Sequence, residues 1–155
     1  MLDAWASLYA VHAAIRTAVS FVHVAALIAA GGCALAADRS VLATDPASRD
    51  ARLSTLAVIA ESHRVVLGGL ALVFVSGLLL FAADVDALLY SRFFWAKMLL
   101  VALLLANGAA LVGAERDALG GPADVRWARL RRAACASLAL WFATTLAGVA
   151  LPNVG

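Results

Sequence analysis

The sequence predicts an all-α membrane protein, a four-transmembrane-helix bundle with both termini on the non-cytoplasmic side. Three observations carry that expectation. Of 155 residues, 65% are hydrophobic and only 14% charged, with a mean hydropathy of +0.94. A soluble domain of this size is nearer half apolar and a quarter charged. The uncharged residues also gather into four runs of about 20, enough helix to cross about 30 Å of hydrocarbon. Finally, the cationic residues collect in two of the connecting segments, which sets an orientation.

The first run is Thr17 to Ala37, bounded by Arg16 and Asp38. The second is Val65 to Ala83, between Arg64 and Asp84. The third, Phe93 to Ala114, is interrupted only by Lys97. The fourth starts at Ala133, after Arg131 and Arg132, and Pro152 is expected to end it at Leu151. No internal repeat is visible, so the chain reads as a single domain. Two flanking stretches are apolar enough to add helix. Ala4 to Arg16 either prolongs the first span or lies along the membrane surface. Leu53 to Arg64 prolongs the second into a helix of about 30 residues.

The stretch "CALAAD" (Cys33 to Asp38) looks like a signal-cleavage site. However, no basic residue precedes Arg16 and the apolar run exceeds a signal's usual length. We expect the run to be retained as a span.

Between the first and second spans lie Arg39, Arg49, Arg52 and Arg64; between the third and fourth lie Arg116, Arg126, Arg129, Arg131 and Arg132. The other side has Arg16, Arg92 and Lys97. The positive-inside rule therefore puts both termini away from the cytoplasm, in a bacterial inner (plasma) membrane with lipid as the constant partner. Trp95 and Trp127 fall near span ends, where interfacial aromatics belong.

Several function classes drop out. The net charge of +2 is small and scattered, so there is no nucleic-acid footprint. Cys33 and Cys135 both lie in apolar runs, with no CxxC or zinc spacing. No Ser/His/Asp set, phosphate-cradling loop or pair of catalytic carboxylates can be found. Asp84 and Asp86 suit a solvated loop.

What remains is a short list of polar groups at membrane depth: His23, Lys97, Asn107, Ser20, Ser76, Ser137, Thr144 and Thr145. Ionisable groups there are costly and usually face a cavity or a partner. His23 lies about 10 Å in from the boundary at Arg16, and Lys97 about 7 Å in from Arg92, at 1.5 Å per residue. The two share a depth and a side. His12 precedes His23 by about three helical turns, with Arg16 one turn from His12. His12, Arg16, Ser20 and His23 are therefore expected to form one polar stripe facing the bundle interior or a water-filled funnel. The competing reading has Arg16 and Lys97 snorkelling to headgroups and His12 interfacial. His23 is too short to snorkel. It serves either an interhelical hydrogen bond or a metal, since neutral imidazole is a good ligand for haem iron. His63, beside Glu61 and Arg64, is either a headgroup-level residue or the holder of a second cofactor or a proton. Glycines at Gly31, Gly32, Gly68, Gly69, Gly77, Gly108 and Gly113 provide close helix packing or room for a flat ligand.

"FVHVAALIAAGGCALAADR" (Phe21 to Arg39) resembles the first span of the CopD and HemJ-type superfamily, where a histidine leads a helix that passes small residues and ends in arginine. "HRVVLGGLALVFVSGLLLF" (His63 to Phe81) resembles the next span. "SRFFWAKMLLVALLLANGAAL" (Ser91 to Leu111) resembles the span marked by a lysine. The likeness covers about residues 20 to 115, and "AAGGCALAADR" stands where HemJ-type chains carry an aromatic-rich passage. It implies a four-helix membrane enzyme with a b-type haem (heme b) that oxidises protoporphyrinogen IX. The superfamily's functional histidine and lysine fall on His23 and Lys97.

On that reading His23 supplies an axial nitrogen. Lys97 either pairs with a haem propionate as a cation or ligates iron once neutral. His12, Arg16 and His63 are further cofactor-binding candidates. Electrons would pass to or from a quinone, or from a porphyrin substrate. Two alternatives stay open. CopD-type proteins handle copper, although copper(I) favours clustered Met, Cys and His, and the methionines are only Met1 and Met98. The other is a non-catalytic membrane subunit that packs into a homo-oligomer or a larger complex.

Overall fold

The computed structural model describes residues 2–118 and 123–154, all helix and short connections, with no strand among the described residues. The helices are α1 (Leu2–Val11), α2 (Ala13–Ala43), α3 (Arg49–Ala83), α4 (Val85–Tyr90), α5 (Arg92–Ala118) and α6 (Ala123–Val154). Four of them, α2, α3, α5 and α6, are long and apolar enough to cross a membrane. In hydrocarbon each backbone polar group must find its partner within its own segment, and a helix meets that condition.

The helices outrun the apolar runs. α3 extends to 35 residues and includes the Leu53 to Arg64 stretch, as its composition predicts. α6 begins at Ala123, well before the apolar run that starts at Ala133, and continues to Val154, so Pro152 does not end the helix. Charges mark where hydrocarbon ends rather than where helix ends. Arg129, Arg131 and Arg132 are exposed on a continuing helix, and arginine is a good helix former. A proline so near the terminus forfeits one backbone bond without stopping the helix.

α1 is a separate helix, not a prolongation of α2. The chain leaves helical geometry at His12, with φ −99° and ψ 98°. α1 then packs against α3, where the Trp5 indole N–H donates to the Leu79 carbonyl at 2.9 Å. Arg16 closes the break. Its guanidinium donates to the carbonyls of Tyr9, at 3.3 Å, and Ala10, which the last turn of α1 leaves without helical partners.

The link between α2 and α3 is built from turn chemistry. Asp45 Oδ1 accepts from the Ala47 N–H at 2.9 Å, and Ser48 caps α3 by accepting from the Ala51 N–H at 3.3 Å. The Thr44 hydroxyl donates to the Ser40 carbonyl at 2.7 Å and accepts from Thr55 at 2.6 Å, pinning the link to the first turns of α3.

α2 packs against both α3 and α6, and α5 packs against α6, so the order across the bundle is α3, α2, α6, α5. Both termini lie at one end. At the opposite end all four long helices contribute to one core: Ala37 and Val41, Leu56 and Ile59, Ala114, and Trp127 with Leu130 and Ala134. Trp127 belongs here, 1% exposed, rather than at a lipid interface. Because α6 starts so early, Trp127 falls on its inward face. Trp95 is 55% exposed, with its indole N–H donating to the Leu89 carbonyl at 2.9 Å. A second layer at mid-depth joins Ala30, Leu104 and Trp141. There α2 and α3 come so close that a Cβ at Gly69 would stand 2.7 Å from that of Ala30.

Candidate functional site

The inward face of α6 reads Trp127, Leu130, Ala134, Ser137, Trp141, Thr144, each of them buried. Its spacing alternates three and four, the seam of helix-on-helix packing. Large residues fill its lower and middle parts. Toward the termini the seam narrows to Thr144 and then Gly148, and there the bundle admits polar side chains.

His23 and Lys97 both lie in this half of the bundle, Lys97 on the α6 seam and His23 on α3. The His23 ring, from α2, lies over Gly77 of α3, with Cε1 3.5 Å from where a Cβ would be. Lys97, from α5, lays Cε and Nζ over Gly148 of α6, each 3.7 Å from the corresponding Cβ position. Both side chains are half-buried. Helix α6 stands between α2 and α5, yet the two groups are near enough for the lysine charge to act on the imidazole. Each rests on a glycine of a neighbouring helix, His23 on α3 and Lys97 on α6.

Ser76 orients the histidine. His23 Nδ1 and Ser76 Oγ are 2.9 Å apart. The serine hydroxyl has a single proton, directed at the Leu72 carbonyl only 2.6 Å away. Toward His23 it must therefore accept, so the Nδ1 position carries the hydrogen and Nε2 keeps its lone pair. The Val73 carbonyl is a further acceptor beside the ring. A neutral imidazole held in this tautomer is a ligand or a proton acceptor through Nε2. Beside Ser76 a cleft of about 190 Å³ runs along the α2–α3 seam, lined by Val19, Val22, Leu72, Val75 and Leu79 among others.

The other sequence candidates lie elsewhere. His12, Arg16 and Ser20 are exposed and do not join His23. The three-turn spacing from His12 has no meaning once the helix breaks at His12 itself, and Arg16 is occupied with the end of α1. Arg16, Thr17 and Ser20 instead border a shallow groove with Tyr9, Phe21 and Val24. His63 is at the far end of the bundle, where its Nε2 is 3.6 Å from Glu115 Oε2 of α5. Asn107 donates to the Ala133 carbonyl at 3.0 Å, a tie between α5 and α6. Among the described residues, no three of His, Cys, Asp or Glu come together in a way that could hold a metal ion.

Sequence reasoning missed two features. Gly148 is the floor under Lys97, invisible without the pairing of α5 and α6. Asp38, read only as the end of the first span, is 3% exposed; the signal was an acid within reach of an inward-facing serine, Ser137.

The chain has no match among curated proteins or solved structures. Residues 5–152 match the model of a family of unknown function (DUF6644). With nearly the whole chain covered, this helical membrane protein belongs to that family.

Proposed function

We propose that the chain is a b-haem redox protein of a bacterial inner (plasma) membrane, with His23 as the axial ligand. The observation that carries the reading is the Ser76–His23 hydrogen bond, which leaves Nε2 unprotonated and holds the ring from behind. Metal-ligating histidines almost always use their other nitrogen in this way. What supports the group is one candidate ligand nitrogen, the cation of Lys97, and an apolar cleft beside Ser76. That cleft is smaller than the 300–1,000 Å³ usual for cofactor pockets. It would take only one edge of a planar macrocycle, with the lipid-facing surface of α2 and α3 beside it.

When bound, the haem supplies one-electron chemistry, either to a membrane quinone or in oxidising a porphyrinogen. The chain's own residues orient and hold. Ser76 fixes the tautomer, Gly77 makes room for the ring, and Lys97 keeps a positive charge over Gly148 for a propionate. His63, paired with Glu115, stands apart from this centre and is assigned no ligand role. A copper-handling role is less favoured, because Cys33 and Cys135 are separate free thiols and no multi-ligand cluster forms among the described residues.

The test is the visible spectrum of the purified, detergent-solubilised chain after incubation with haemin. A stoichiometric Soret band with b-type bands on reduction supports the reading. A colourless protein that binds copper instead, or one that co-purifies metal-free with other membrane subunits, overturns it.

A further inference from the structure

Asp38 is the one strongly buried acid among the described residues, and the haem reading makes no use of it. It is 3% exposed, with its Oδ2 buried and lacking any hydrogen-bond partner among the described residues. The Ser137 hydroxyl of α6 is close enough to act on its carboxyl group. At the level of Asp38 α2 packs on α3 and α6, and among the described residues neither brings a cation to it. α6 presents Ser137, while Cys135 is exposed on another face. α3 presents Leu56 and Ile59 at this end of the core; its Glu61 and Arg64 are exposed, and His63 is paired with Glu115 of α5. Arg39, next along α2, is exposed.

A buried carboxylate with an unsatisfied oxygen and no counter-charge is among the costliest arrangements in a protein interior. A proton removes the charge and turns the orphaned acceptor into a hydroxyl. Packed layers lie on both sides of Asp38. Between Asp38 and His23 the Trp141 ring presses on Gly31, 3.2 Å from where a Cβ would be, and packs with Ala30 and Leu104. On the side away from His23 lies the core of Val41, Ile59, Trp127 and Leu130, while Arg39, next along α2, is turned outward.

We propose that Asp38, together with Ser137, is a proton-binding site in the half of the bundle away from the termini, loaded as a neutral carboxylic acid whose proton exchanges with water. The site does not depend on a haem at His23. It is about 22 Å away along α2, fifteen residues at 1.5 Å each. It gives the protein a store for one proton on the side of the Trp141 layer away from His23.

Infrared difference spectra of the full chain against Asp38→Asn test this directly. They are recorded at about pH 6, where an ordinary carboxyl of pKa about 3.9 is almost wholly ionised. The expected result is a protonated-carboxyl C=O band in the parent chain that is missing in Asp38→Asn and shifts in D2O. Ser137→Ala should move the same band by removing the hydroxyl that acts on the carboxyl, and this variant decides the matter if Asp38→Asn does not fold. No Asp38-dependent or Ser137-sensitive band, or one that D2O leaves in place, overturns the proposal.

Discussion

Ser76 of α3 stands 2.9 Å from Nδ1 of His23 in α2, and it does so as an acceptor, because its one proton is directed at the Leu72 carbonyl. Two helices thereby set the tautomer of a half-buried histidine at membrane depth. Ser76→Ala removes that acceptor while keeping the helix. On the haem reading, apparent haem affinity should fall roughly 10- to 100-fold, the usual consequence of losing a ligand's supporting hydrogen bond. Haem titration followed at the Soret band measures it. Ser76→Thr should restore most of the affinity.

Gly148 is the floor beneath Lys97. A methyl group there would meet Lys97 at 3.7 Å, an ordinary contact, so Gly148→Ala should fold and behave as the parent. Gly148→Leu claims the space and drives the ammonium away from the His23 region. The expected outcome is a haem complex weakened to about the same extent as in Lys97→Met, with no further loss in the double variant. Additive losses would show that Lys97 and Gly148 act independently.

The closest helix crossing gives a stability test that needs no ligand. A Cβ at Gly69 would stand 2.7 Å from the Ala30 Cβ and 3.1 Å from the Ala26 carbonyl oxygen, so α2 and α3 must part. Overpacking of this kind costs about 1–3 kcal/mol. Gly69→Ala should lower the midpoint of unfolding in detergent, whereas Gly32→Ala, with open space around it, should leave it unchanged.

Trp127 fills the core opposite the termini, and its indole N–H has no partner among the described residues. Trp127→Ala should destabilise by about 3–5 kcal/mol, as large aromatic truncations in cores do. Trp127→Phe should cost far less. It keeps most of the ring and removes a buried donor whose missing hydrogen bond is itself unfavourable. The exposed Trp95 gives the contrast, since its truncation opens no interior cavity. Denaturant midpoints of the three variants measure the difference.

Much of the architecture was legible in composition, because spanning hydrocarbon leaves few options. Four apolar runs meant four helices, and the shared depth of His23 and Lys97 followed from counting residues along two of them. The rest depended on facts that a charge count does not hold. Arg129, Arg131 and Arg132 looked like a boundary, yet they ride on the exposed face of a helix already under way, so Trp127 was misread as interfacial. His12 was assigned to a stripe by helical phase, which fails wherever the backbone leaves the helix. Asp38 was passed over because it sits where a span ends, and only the packing of α2 on α6 reveals its burial.

The central claim is that His23 presents a free Nε2 to a haem in the half of the bundle nearer the termini. Its most direct measurement is the Soret absorbance of three purified, haemin-loaded chains: the parent, His23→Ala and His63→Ala. The account predicts a b-type spectrum in the parent and in His63→Ala, and none in His23→Ala. A Soret band that survives His23→Ala, or one that vanishes with His63→Ala instead, would contradict it.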